Sequence, residues 1–129
     1  MRTFLSAIAL VSLLCTPPAV AQEADPAKGA EVFKKCRSCH MVGDKARNLV
    51  GPTLNGIVDG KIAAVEGYKY SKAMKQYATE NSVWSEALLD TYLEKPAKAV
   101  KGTRMAFVGL RKPKDRADVI AYLKQFSAQ

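Results

Sequence analysis

The chain has 129 residues, a formal net charge of +8 and 48% apolar side chains, with one histidine and three cysteines. That length suits one small domain, and so few nitrogen and sulfur donors argue against a closed four-ligand zinc site. The basic excess admits nucleic acid, an anionic membrane or an acidic protein as partner.

Residues 1–21 read as a cleaved secretory signal. Arg2 gives a positive start, Phe4 to Leu14 is a short apolar run, and Ala19-Val20-Ala21 fits the small-x-small rule for cleavage before Gln22. The run is shorter than the roughly 20 residues a membrane span requires. Cys15 falls inside the signal, behind a bulky Leu14 where a lipoprotein signal places a small residue, and is expected to be discarded with it. Taking 21 from 129 leaves residues 22–129, a domain of 108 residues, and losing Arg2 lowers the charge from +8 to +7. So short a chain has little core, and a large apolar cofactor would supply much of what it must bury. Export predicts a periplasmic location, where little nucleic acid is met. No long amphipathic basic helix suited to a membrane surface follows the signal. Acidic docking surfaces on partner proteins or membrane complexes are therefore the expected partners of a monomer that does not insert into the membrane.

No repeat and no sustained strand alternation occurs; the periodicity is helical, with long glycine-containing loops, and predicts an all-α fold with three principal helices. Asp25-Pro26 opens the first helix, a carboxylate at the N-cap and a proline at the first helical position. Ala30, Val32 and Phe33 share its inner side as it leads into Cys36. A loop punctuated by Gly43, Gly51-Pro52 and Gly56 follows. Ser71 introduces a short helix within residues 68–78. Ser85–Lys95 reads as the second principal helix, with Leu88, Leu89, Tyr92 and Leu93 on one face and Pro96 as its stop. The third is expected from about Lys114 to Phe126. Its buried stripe is Val119, Ile120, Leu123 and Phe126, and Asp115 and Asp118 suit its positive N-terminal end.

The chemistry concentrates in Cys36-Arg37-Ser38-Cys39-His40. Two thiols three residues apart can each add across one vinyl group of a haem, and the imidazole after the second thiol can ligate the iron; this is the pattern of c-type haem attachment. A redox-active CxxC pair, half of a zinc site and a plain disulfide are the competing readings, the last favoured by an oxidising compartment. The shortage of donors argues against zinc, and the missing βαβ pattern against a thiol oxidoreductase. The motif supplies one axial ligand, and no second histidine exists to supply the other. Met41 adjoins His40 and cannot reach the opposite face, while Met74 falls in a helix among aromatic residues, where packing suffices to explain it. Met105 lies in Lys101-Gly102-Thr103-Arg104-Met105-Ala106-Phe107, a non-helical stretch that can turn the sulfur inward. Without the haem motif, a lone methionine in such a place is ordinary core filler.

From Asp25 to Gln125 the chain resembles a class I cytochrome c, of the small bacterial type similar to the mitochondrial protein. The resemblance rests on Phe33-Lys34-Lys35-Cys36-Arg37-Ser38-Cys39-His40 and Gly51-Pro52-Thr53-Leu54-Asn55-Gly56. It continues through Trp84-Ser85-Glu86, Tyr92-Leu93-Glu94-Lys95-Pro96, Gly102-Thr103-Arg104-Met105-Ala106-Phe107 and Ile120-Ala121-Tyr122-Leu123-Lys124. It implies short helices and long loops wrapped, with the three principal helices, around one covalently attached haem c and its iron. By position it implies thioethers from Cys36 and Cys39, axial ligands His40 and Met105, and a Pro52 carbonyl facing the other ring nitrogen of His40. Tyr70 (or Tyr68 in its place), Trp84 and Thr103 would hydrogen-bond the propionates, and Tyr92 would sit near the Met105 sulfur. Each aromatic could instead be a buried ring with its polar atom satisfied. One departure stands out: Asp59-Gly60-Lys61 occupies the place of a Gly-Arg-Lys stretch whose arginine supports a propionate.

The implied function is the shuttling of single electrons between redox protein complexes rather than catalysis, because a histidine and a thioether together close the iron to other ligands. A haem enzyme or ligand sensor with a displaceable methionine is the alternative. Lys34, Lys35, Arg37, Lys98, Lys101, Arg104 and Lys112 come from the segments expected to frame the exposed haem edge, where they would steer acidic partners.

Overall fold

The computed structural model describes residues 23–128; the expected signal, 1–21 with Cys15, lies outside the described residues. The Asp25 side chain accepts from the Ala27 and Lys28 amides and Pro26 follows it, so α1 (Pro26–Phe33) starts where its sequence predicts. Ser71 caps α2 (Lys72–Glu80) through the Met74 amide, and Ser85 caps α3 (Glu86–Glu94) through the Leu88 amide. Pro96 ends α3 but also opens α4 (Pro96–Ala99), a single turn absent from the predicted elements. The last helix, α5, spans Pro113–Leu123. Among the described residues, the strand-like pairing is one isolated bridge between Lys61 and Val83.

Helix α1 packs across α5, and α3 packs on α5 as well. The α1–α5 crossing is close because residue 29 has no side chain: a Cβ there would lie 2.0 Å from the Asp118 carbonyl oxygen and 2.7 Å from the Tyr122 Cβ. Phe33 and Tyr122 extend the contact with ring centroids 5.4 Å apart, and Tyr122 and Phe126 with centroids 5.0 Å apart.

Two expectations for α5 are corrected. It ends at Leu123 and not Phe126, because the Gln125 and Phe126 amides bond three residues back, to Tyr122 and Leu123, and tighten the chain out of the helix. Phe126 is accordingly only half-buried, and its carbonyl accepts from the Gly56 amide at 2.8 Å. Asp118 lies in the second turn, beyond the positive end it was expected to serve. It is 2% exposed, accepts from the Asp25 amide at 2.7 Å and pairs with Lys114, so it ties the start of α1 to α5.

Those bonds hold the Asp118 carboxyl below the usual 3.8, the Asp25 amide foremost and Lys114 next, against the opposite pull of burial. The unfolded chain thus takes up this proton at a higher pH than the folded one. Stability from Asp118 is present above about pH 4 and lost as the pH falls below it. Denaturant titrations at pH 7 and pH 3 are expected to show a smaller acid loss in D118N than in the wild type. Equal losses would remove Asp118 from the acid response.

Among the described residues eleven apolar side chains are buried, and seven of them (Phe33, Trp84, Leu89, Tyr92, Leu93, Val119 and Leu123) also line one cavity. The core of this short chain is built around that space.

Candidate haem site

The cavity has a volume of about 570 Å³, within the usual range for cofactor-sized ligands. Its first wall is the chain leaving α1. There the Cys36 amide bonds to the Phe33 carbonyl at 2.8 Å, and the Cys39 and His40 amides both bond to the Cys36 carbonyl at 3.0 Å. This helical winding puts residues 36, 39 and 40 on one side, as spacings of three and four require, and all three line the cavity. Cys36 and Cys39 are not joined to each other in a disulfide. Burial pushes the Cys36 thiol up, with Lys35 only partly opposing. A protonated thiol is a poor attacking group, which weakens the redox-active CxxC reading. Among the described residues no group of three or more His, Cys, Asp or Glu side chains could hold a metal, which counts against zinc.

His40 is fixed from behind. Its Nδ1 lies 2.7 Å from the Pro52 carbonyl oxygen. Since a carbonyl can only accept, Nδ1 carries the proton and Nε2 keeps its lone pair. Burial holds the imidazole below its usual value of 6.5, with the Pro52 bond opposing, so the ring is neutral at pH 7. The loop presses hard against the ring: a Cβ on Gly51 would come within 2.3 Å of it. Only glycine leaves that room.

Met105 lines the same cavity from the segment between α4 and α5. The Tyr92 hydroxyl donates to its sulfur at 3.2 Å, and its amide donates to the Thr103 hydroxyl oxygen at 3.1 Å. Burial pushes the Tyr92 phenol up to about 12, the Thr103 hydroxyl pulling the other way and Tyr77 adding to the rise. The phenol therefore stays protonated, and a donor, across the physiological range. Met74 also lines the cavity, from α2, half-buried.

The remaining predicted residues are brought to the same walls. Trp84, 5% exposed, lies between Tyr77 and Tyr92, with ring centroids 5.7 and 4.8 Å away. Tyr70 accepts from the Val65 amide at 3.1 Å, and Tyr68 donates to the Val50 carbonyl at 2.7 Å; both rings line the cavity, 4.8 Å apart. Thr103 lines it too, while its hydroxyl serves the Met105 amide.

The departing stretch Asp59-Gly60-Lys61 has a backbone of its own. Asp59 takes a φ of 60°, tolerable for a short polar side chain. A Cβ on residue 60 would fall 2.2 Å from the Gly56 carbonyl oxygen, so this path has no room for an arginine there. Both residues are pinned to Trp84, by Asp59 amide to Trp84 carbonyl and Trp84 amide to Gly60 carbonyl, each 2.8 Å.

Sequence reasoning missed Lys61 and Lys69, which line the cavity with Lys35 and Arg104, and it missed Tyr77 as a flank of Trp84. The Gly51-Pro52 pair marks a loop in the sequence, and the close approach of Gly51 to His40 goes beyond that signal. No carboxylate lines the cavity among the described residues. Two thiols, a neutral imidazole, a thioether, apolar and aromatic walls, and four cations suit a haem, which is a large flat apolar ring bearing two acid groups.

The comparisons agree. The family model described as cytochrome c matches residues 26–127. The chain is 52% identical over 99 residues to cytochrome c2 of Rhodomicrobium vannielii, covering 77% of each. It is 41% identical over 126 residues to cytochrome c-554 of Methylosinus trichosporium, covering 98% of this chain and 93% of that protein. The solved structure of cytochrome c2 from Rhodospirillum centenum superposes with a TM-score of 0.74 at 39% identity, over 81% of this chain and all of that one. Cytochrome cH from Methylobacterium extorquens gives 0.72 at 40% identity, over 79% and 99%. With this fold, attachment motif and cavity, the chain belongs to the cytochrome c family, in its class I form, whose members carry one covalently attached haem c.

Proposed function

We propose that the exported chain, residues 22–129, carries single electrons between redox proteins in the periplasm as a monomer and catalyses no reaction of its own. When bound, the haem supplies an iron that gains and loses one electron. The residues of the chain have distinct tasks. Cys36 and Cys39 hold the ring covalently, so that it cannot leave with either oxidation state. His40, its proton kept on the far nitrogen by Pro52, offers Nε2 to the iron, and Met105 offers its sulfur. Tyr92 holds that sulfur in place by its hydrogen bond. Tyr70, Trp84 and Thr103 support the acid groups, with Lys61 supplying a cation in the stretch that lacks arginine. The apolar wall excludes water, which keeps the reorganisation on each electron transfer small.

One observation supports this reading: Cys36, Cys39, His40 and Met105 all line one apolar cavity, with His40 hydrogen-bonded to Pro52 and Met105 to Tyr92. The expected result of a potentiometric titration is a single one-electron curve of roughly 59 mV per decade, with no turnover of peroxide. A two-electron slope, or catalytic consumption of peroxide, would sink it.

The partner is an acidic docking surface. Lys34, Lys35, Arg37, Lys98, Lys101, Arg104 and Lys112 are all exposed, and Lys35 and Arg104 also line the cavity. Lys34 also pairs with Glu31 at 2.5 Å, an exposed contact that an approaching partner can outcompete. Steering of this kind is screened over about 8–10 Å at physiological ionic strength. Raising salt from about 10 mM to about 300 mM should slow electron exchange with an acidic acceptor by one to two orders of magnitude. Rates indifferent to salt would exclude the basic face from docking.

A further inference from the structure

Among the described residues one cation is buried: Arg116 of α5, 6% exposed. Its guanidinium is engaged in two directions. Nε and Nη2 donate to Oδ1 and Oδ2 of Asp90 on α3, at 2.7 and 3.4 Å. Nη1 donates to the carbonyls of Leu110 and Arg111, at 2.8 and 3.1 Å. Leu110 is where the Met105 segment re-enters the core; it is 3% exposed, and its amide donates to the Leu93 carbonyl at 2.8 Å. Gly109 beside it approaches the Glu94 carbonyl so closely that a Cβ would fall 2.1 Å away. On the entering side, Arg104 donates to the Lys69 carbonyl and Thr103 takes the Met105 amide. Ala106 to Gly109 make none of the hydrogen bonds found among the described residues. The place of Met105 therefore depends on how firmly the two ends of its segment are held.

We propose that Arg116 is a positioning residue for Met105: by gathering two carbonyls of the returning chain and bracing itself on Asp90, it keeps the sulfur in the cavity without touching the site. The task needs a planar fork with donors on two edges, which lysine lacks. Without it the Leu110 carbonyl, in a buried residue, loses its partner and the segment end is free to move. The inference rests on Met105 being the sulfur ligand, and the test separates the two claims.

An added ligand enters only when the sulfur has left, so its apparent affinity scales with the released fraction. The test is imidazole titration of the ferric holoprotein, followed by visible absorption, with global stability measured in denaturant alongside. R116K is expected to bind imidazole about tenfold more tightly than the wild type, and D90N, which removes only the brace, about threefold. V32A, a truncation on α1 that lowers global stability, is expected to change the affinity less than R116K does for an equal loss of stability. Should R116K fail to fold with haem, D90N against V32A carries the comparison. Unchanged affinity in R116K or D90N, or an affinity that follows global stability alike in all variants, overturns the clamp. M105A sets the fully released limit. M105A binding tightly beside a wild-type-like R116K overturns the clamp alone, whereas M105A binding no more tightly than the wild type overturns Met105 as the ligand.

Discussion

Replacing Gly29 by valine is expected to cost about 3 kcal/mol or more of folding stability, a large share of what a domain this size has. The substituted Cβ would lie 2.0 Å from the Asp118 carbonyl oxygen and 2.6 Å from its carbon. Both atoms are backbone inside α5 and cannot rotate aside. The helices would have to part, which pulls the Asp25 amide from Asp118 and Phe33 from Tyr122. Helix propensity works the other way: alanine in place of a helical glycine stabilises by about 1 kcal/mol. G29A therefore weighs that gain against the clash, and the clash should win. The control is Gly43→Ala, where nothing lies within 4 Å and only the φ of +95° penalises a side chain; its expected cost is about 1 kcal/mol. Urea titrations of the three variants decide it. A G29A protein as stable as the wild type would show that the crossing relaxes freely.

The starts of the helices were legible because capping is local chemistry. Asp25, Ser71 and Ser85 each satisfy amides two or three residues ahead, and no other part of the chain need be known. The end of α5 was not legible, since the turn that stops it includes a Phe126 carbonyl taken by Gly56, 70 residues earlier in the chain. In the sequence Asp118 suits the positive end of a helix, and nothing marks Arg116 at all. They are buried because distant groups converge on them, Asp90 with two loop carbonyls on one and the Asp25 amide on the other. Periodicity carries no trace of either convergence.

The site divides in the same way. The spacing of Cys36, Cys39 and His40 fixes their shared side through one turn of backbone, and Met105 stood out by elimination. Gly51 was legible only as loop punctuation before Pro52, and it is the folded chain that shows its close approach to the imidazole. Lys61 and Lys69 were invisible as site residues, because exposed lysines outnumber functional ones and nothing local marks these two. Among the described residues the cavity collects basic side chains and no acidic ones, a property of the assembled walls rather than of any motif.

Met105→Ala should have the largest effect on the iron. Attachment through Cys36 and Cys39, as proposed, would not involve Met105, so haem content should match the wild type while ligation changes. A thioether is a soft donor that favours Fe(II), and its loss admits water or an added ligand and favours Fe(III). The reduction potential is expected to fall by on the order of 100 mV or more, within the roughly 0.8 V that axial ligands command. The reduced variant should also take up carbon monoxide that the wild type resists. Tyr92→Phe separates holding from ligating: it removes the 3.2 Å bond to the sulfur but leaves the sulfur, so its shift should be several-fold smaller. Potentiometric titration and carbon monoxide difference spectra of the three proteins measure both quantities. Were the wild type to bind carbon monoxide as readily as M105A, the iron would already be open, and the protein would be a haem enzyme or ligand sensor instead of a carrier. A potential unmoved by M105A would place the second ligand elsewhere, and Met74, the other methionine lining the cavity, would be the next residue to replace.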